Sequence, residues 1–508
     1  MKKLLFVFLT CITVVAGAQK KNPATTYANT ITADDVKQRL YIVASKEMEG
    51  RETAMPGQKK AAAYIESQFQ SFGLAPGNHG QYQLHYDVYE DSLTNAEVEV
   101  NGKTYELDKD FSVNVGQCNN ATYRFSEVVF VGNGNSDSTQ DDYKGLDVRG
   151  KVVLMLGGQP QGGRGPGGRG GNRFGGFFAK ADAAQKNGAV AVMIIATNFP
   201  HQTKTNPKGN MYVNAFQPMV RPNQFTVSEE IAKAIMGSDY DAAKAGKSEP
   251  KTYKANLMLN FAKTTLHLES SDVLGVLEGT DLKDQYVFVT GHYDHLGKRD
   301  TVIYYGADDD GSGTVSVIEM AQAFAKAKAD GKGPRRTMVF MTVSGEEKGL
   351  WGSDYYTNHP VFPLEQTSVD LNIDMIGRID TSRKVGNPNN YVYVVGDDKL
   401  STDLRTISES VNKKYTKLEL DYKFNDPNDR NRIYFRSDHY NFARKGVPII
   451  FYYDGMLGSD YHRPTDTPDK INYDLLVKRA QLVFYTAWEM ANRDDMLKRD
   501  LKLEIPTR

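Results

Sequence analysis

Apolar positions recur along this chain with two different periods. Between residues 33 and 72 they return every three or four positions: Val36, Leu40, Ile42 and Val43, then Ala61, Ala62, Ile65 and Phe69, with Gly73 as a stop. This spacing predicts two helices. Strands are expected over 82–100, and Asn101-Gly102 behind them is a hairpin signal. From about 268 onward, short continuous apolar runs alternate with helical segments. Residues 286–291, 337–343, 369–375, 391–395 and 447–453 read as strands; 314–329, 401–413 and 474–492 read as helices, the last serving only to pack. Runs that are apolar without alternation are buried on both faces, which predicts a mostly parallel sheet covered on both sides. In such sheets functional groups gather at the carboxyl ends of strands.

The stretch 111–262 has a different texture. VVFVG (128–132) and KVVLMLGG (151–158) read as strands. A helix through Phe178, Ala181, Ala184 and Gln185 ends at Asn187-Gly188, and AVAVMIIA (189–196) follows as a buried strand. The glycine- and arginine-rich run 162–176 reads as a solvated loop and lacks the spacing of a phosphate cradle.

Length and composition narrow the picture. A chain of 508 residues is too long for one ordinary core. The net charge of −1 gives no electrostatic reason to expect nucleic acid or an anionic membrane as partner. Lys2 and Lys3, the apolar run Leu4–Val15 and the small residues Ala16-Gly17-Ala18 read as an export signal cut after Ala18. The run is too short for a membrane anchor, and Cys11 lies inside it, where it makes a poor lipid attachment site. Removing 1–18 leaves Cys118 as the one cysteine, so the mature chain has no internal disulfide.

The chemistry-bearing residues sit at the ends of the predicted strands. GHYDHLG (291–297) places His292 and Asp294 two apart, on one face of an extended backbone. His292 reads as a metal ligand and Asp294 as the group that orients it, although a His-x-Asp pair is also common on surfaces. GADDDGSG (306–313) puts three aspartates in a glycine-flanked turn. This is a cation site or an acidic helix start; the spacing of a calcium loop is absent. SGEEKGLWGS (344–353) offers two adjacent glutamates that point different ways. One can ligate while the other takes a proton from water, a division suited to metal-assisted hydrolysis. NIDMIG (372–377) carries Asp374 in an apolar strand, and DYHRPTDTPDK (460–470) carries His462 in a turn-rich loop. Nitrogen and oxygen donors together suit zinc. The seven other histidines read as structural, with His439 close to the site by motif.

These motifs, with FRSDHYNFARKGVPIIF, resemble in content and order the secreted double-zinc aminopeptidases and the related glutamate carboxypeptidase-like enzymes. The resemblance covers 268–508. Residues 111–262 resemble a protease-associated domain, which is non-catalytic. The implied architecture is a three-layer α/β/α sandwich around a mostly parallel mixed sheet, with an inserted, mainly-β protease-associated domain. The implied organisation is a signal peptide (1–18), two peptidase segments (19–110 and 263–508) and the insertion (111–262). The implied cofactor is two zinc ions per chain. His292 and Asp374 would hold one and Glu347 and His462 the other, with Asp309 bridging and followed by a cis peptide bond. Glu346 would be the general base and Tyr461 a stabiliser of the oxyanion, although a packing tyrosine fits that position equally. Most members have Asn where Asp310 stands. The expected activity is an exported aminopeptidase acting on peptides. Carboxypeptidase or dipeptidase action is the alternative, with Arg430, Arg432 and Arg436 as candidate anchors for a substrate carboxylate. A glutaminyl cyclase-like acyltransferase, usually with one zinc, and a non-catalytic peptide-binding protein are further alternatives. The complete ligand set argues against the first and the intact Glu346 against the second.

Overall fold

The computed structural model describes residues 23–157, 175–202, 204–215, 221–458 and 460–504. The expected signal segment and most of the Gly/Arg run lie outside the described residues. The described residues form two compact units, one of those up to 86 together with those from 270 onward and the other of those between 87 and 269.

The first unit contains α1 (Ala33–Val43) and α2 (Pro56–Ser71), and then the last residues of β1 (Lys251–Leu277). There follow β2 (Leu282–His292), α3 (Gly311–Ala329), β3 (Arg336–Val343), α4 (Trp351–Asn358) and β4 (Thr367–Ile373). Further along come β5 (Tyr391–Val395), α5 (Leu404–Lys414), β6 (Glu419–Asp421), α6 (His439–Arg444), β7 (Ile449–Tyr453) and α7 (Tyr473–Asn492). The strands lie in the order β6-β5-β7-β4-β2-β3-β1. The central four, β7, β4, β2 and β3, are mutually parallel. β1 and β5 are antiparallel to their neighbours β3 and β7. The sheet is therefore mixed and mostly parallel.

Alternation along the strands explains the unbroken apolar runs. Val287 and Val289 of β2, with Met338 and Phe340 of β3, enter a core shared with α1, α2, α3 and α7. Phe288, Val339 and Met341 point to the opposite face and pack with Tyr356 of α4 and Phe442 of α6. Both faces are covered by helices, which gives the α/β/α layering.

Two expectations change at this level. β4 stops at Ile373, so Asp374 stands just beyond the strand in the loop that follows, not inside it. α7 does more than pack. Its fully buried Arg479 donates to the carbonyls of Tyr391, Ile376 and Arg378, and so ties the helix to β5 and to the loop after β4.

In the second unit, strands Ala121–Phe130, Val152–Leu156, Ala191–Ile195 and Asn223–Val227 pair in parallel in that order. Helix Gly175–Lys186 stands between the second and third of them. Asn101 and Gly102, both at positive φ, form the predicted hairpin turn, closing residues 98–100 onto Lys103–Tyr105. Cys118 is buried and free.

Candidate metal centre

The parallel strands deliver their carboxyl ends to one place. His292 is the last residue of β2. Glu346 and Glu347 follow β3, Asp374 follows β4, and His462 lies in the loop after β7. Asp309 comes from the turn that leads into α3. Between β3 and Glu346 stands Gly345, with φ +76; a Cβ there would come within 2.7 Å of the Tyr86 hydroxyl and 2.9 Å of Trp351. Glycine lets the chain turn sharply enough to point both glutamates inward.

Asp309 sits between the two histidines. Its Oδ1 lies 3.2 Å from His292 Nε2 and its Oδ2 3.0 Å from His462 Nε2. Asp374 Oδ1 is 3.6 Å from His292 Nε2, and Glu347 Oε2 is 3.1 Å from His462 Nε2. The Asp309–Asp310 peptide bond is cis, as the resemblance implies. The flanking aspartates serve the backbone. Asp308 accepts from Gly377 N–H at 2.8 Å; Asp310 caps α3 by accepting from Gly313 N–H and also accepts from Met375 N–H. Asp310 meets the expectation of an acidic helix start, while Asp309 is the aspartate that stands between the two histidines.

Asp294 works in two ways. Its main-chain oxygen is 3.1 Å from His292 Nδ1 and its carboxylate Oδ1 3.6 Å away, so the carbonyl is the nearer orienting acceptor. The carboxylate accepts from Thr53 Oγ and from Glu346 N–H, which anchors the backbone that carries Glu346. Asp466, a residue the motif reading passed over, accepts from the N–H groups of Asp308 and Asp309. Tyr461 stacks on His462 with ring centroids 3.9 Å apart, and its hydroxyl oxygen accepts from Arg436 at 2.7 Å.

Electrostatics make this a site for cations. Burial pushes the Glu346 carboxyl well above its ordinary range; His292 opposes the shift, and Glu347 and Asp374 add to it. Burial acts against charge on His462 as well, but Asp309 and Glu347 outweigh it and hold its pKa at about 9. Buried carboxylates in such numbers need positive charge beside them. His292 Nε2, Asp309 Oδ2 and Glu347 Oε1 are buried and have no hydrogen-bond partner among the described residues. Two groups offer ligand atoms within 4.8 Å of one another: His292, Asp309 and Asp374, and His295, Asp309 and Glu347. Donors on one zinc, at bond lengths of ~2.0–2.1 Å, stand about 3.3 Å apart in a tetrahedron. The measured separations and the nitrogen and oxygen donor set fit zinc.

The structure brings all five candidate ligands, Glu346 and Tyr461 together. Of the three arginines, Arg436 lines the cavity beside Asp309, Glu346 and Asp374; Arg432 lines a separate one with Phe424 and Leu503. His439 is structural: it stacks on Phe451 and donates from Nε2 to the Tyr434 carbonyl. His295, which its sequence context marks as structural, stands within the second donor group. Its signal lay in the same motif, three residues after His292.

Residues 272–487 match the model of peptidase family M28. Among curated relatives, a probable leucine aminopeptidase of Trichophyton verrucosum (strain HKI 0517) is 30% identical over 215 residues, 41% of this chain and 55% of that protein. Aminopeptidase YwaD of Bacillus subtilis (strain 168) is 24% identical over 241 residues, 44% of this chain and 46% of that protein. The chain thus spans about half the length of the curated relatives it matches. The solved structure of an aminopeptidase from Aneurinibacillus sp. strain AM-1 superposes with a TM-score of 0.55 at 19% identity, covering 95% of this chain and 100% of that one. That likeness is one of fold.

Proposed function

We propose, from the match of residues 272–487 to peptidase family M28, that this chain is an exported two-zinc peptidase that removes residues from the amino end of peptides. One observation carries the reading: two groups of nitrogen and oxygen donors, His292 with Asp374 and His295 with Glu347, share a single carboxylate, Asp309, and His462 Nε2 stands 3.0 Å from Asp309 and 3.1 Å from Glu347. His292 and Asp374 would hold one ion, Glu347 and His462 the other. Zinc bound there supplies Lewis acidity, lowering the pKa of water at the centre and polarising the scissile carbonyl.

The remaining steps belong to side chains. Glu346 lines the cavity beside Asp309 and Asp374, its Oε2 3.9 Å from His292 Nε2. It takes the proton of the attacking water and returns it to the departing amine. Arg436 donates to the Tyr461 oxygen, which polarises the phenol as a donor to the developing oxyanion. Met375, Ile433, Phe451 and Leu457 give the cavity apolar walls. Export rests on the Lys2–Ala18 segment; no described helix is long and apolar enough to cross a membrane. The second unit supplies none of these residues, consistent with a non-catalytic insertion.

Arg436 favours a second reading, cleavage at the carboxyl end, because a guanidinium in the cavity would bind a terminal carboxylate bidentately. A substrate panel separates the two. Aminopeptidase action predicts hydrolysis of free-amine aminoacyl amides and none after N-acetylation. Cleavage of N-acetylated peptides that is lost when the carboxyl end is amidated would replace it with the second reading.

A further inference from the structure

His295 is fully buried, and neither of its ring nitrogens has a hydrogen-bond partner among the described residues. A buried imidazole ordinarily satisfies at least one nitrogen, as His439 does through Tyr434. Its Nδ1 lies 2.9 Å from Glu347 Oε1, yet neither atom has a hydrogen-bond partner among the described residues. Two ligand atoms that close, and without a hydrogen bond between them, have the separation of two ligands around one ion. His462 Nε2 and Asp309 Oδ2 stand at the comparable distance of 3.0 Å, and that oxygen too lacks a hydrogen bond.

We propose that His295 is a ligand of the second metal position, which is then held by two imidazoles, His295 and His462, with Glu347 and Asp309. The proposal rests on the two-zinc reading above and adds a sixth ligand to it. Glu347 has the reach to serve both histidines, with Oε1 beside His295 and Oε2 beside His462. The backbone fixes the residue in place: His295 N–H donates to the Arg51 carbonyl, and His295 pairs with Glu52 as an isolated bridge. Its ring lies against Gly306, where a Cβ would come within 2.5 Å of His295 Cγ. Any larger residue at 306 would push the imidazole off the turn that carries Asp309. The two positions then differ in chemistry. The first has one imidazole and carboxylates; the second is rich in nitrogen. Imidazole suits zinc, while carboxylate sites also accept manganese and magnesium, so the first position is the one that exchanges its metal.

The test is zinc content after equilibration of the full chain against a zinc buffer, read by mass spectrometry for wild type, His295→Ala and His295→Asn. Asn keeps an amide donor near the Nδ1 position, so it would restore a hydrogen bond to Glu347 but not the imidazole. We expect two zincs in wild type and one in each variant, with at least ~10-fold weaker binding of the second, the scale on which mutations around a metal act. A two-zinc wild type with unaltered variants, or rescue by Asn, overturns the assignment of His295 alone. A wild type that takes up no zinc overturns the metal reading with it. X-ray absorption on the two-zinc wild type needs no variant to fold. Three imidazoles per metal pair are expected, and two would overturn the proposal.

Discussion

Asp308, Asp309 and Asp310 stand in one turn, and only the middle one faces the donor cluster. The outer two hold main-chain N–H groups of Gly377, Gly313 and Met375. The sequence could place this acidic turn but not divide its labour, because the division depends on a loop more than sixty residues away. A buried acid outside the site shows the opposite economy. Asp370 of β4 accepts from Thr290 at 2.8 Å, while its Oδ2 has no partner. Burial pushes its pKa up to about 8, with Thr290 opposing and Asp438 adding. Its folded pKa lies above the unfolded value of ~3.9, so between those pH values the native state binds the extra proton. Stability therefore falls as pH rises from about 4 to 8. Asp370→Asn keeps the acceptor for Thr290 and does not titrate. We expect it to raise the melting temperature at pH 8, by an amount on the order of a few kcal/mol in stability, and to change it little at pH 4. An equal shift at both pH values would contradict this account.

At the scale of elements, the strands were legible because burial on both faces leaves an unbroken apolar run. The boundaries at the site were less so. Asp374 was read into β4, since Asn372 to Met375 gives no punctuation where pairing with β7 ends at Ile373. His295 is hard to read for a related reason: a second histidine in a short motif looks like spacing until the Arg51 carbonyl holds its backbone and Gly306 makes room for its ring. The loop after β7 is braced by its own acids. Asp460 accepts from Thr465, Lys470 and Arg378, and Asp466 holds the N–H groups of Asp308 and Asp309. The loop carrying His462 and the turn carrying Asp309 are therefore locked together. Asp466→Ala is expected to weaken zinc binding ~10–100-fold, the usual scale for an outer partner of a ligand. Competition with a chromophoric chelator measures it, and wild-type affinity would show that Asp466 does not position the turn.

Across the whole molecule, the described chain has no disulfide to stabilise it, and its donor cluster joins the ends of four strands and the start of α3. Metal binding should therefore appear as folding stability. At free zinc ~100-fold above Kd, one site adds about 2.7 kcal/mol. Chelation is expected to lower the melting temperature by several degrees and to abolish hydrolysis, both restored by zinc; an unchanged melting curve would place the cluster outside the stabilising core. The central claim is that Glu346 is the proton-transferring base between two zinc positions. It is tested most directly by Glu346→Gln, measuring zinc content and hydrolysis of an aminoacyl amide on the same preparation. We predict two zincs per chain, as in wild type, with hydrolysis reduced by at least ~10²-fold. Near-normal hydrolysis with zinc in place would contradict it.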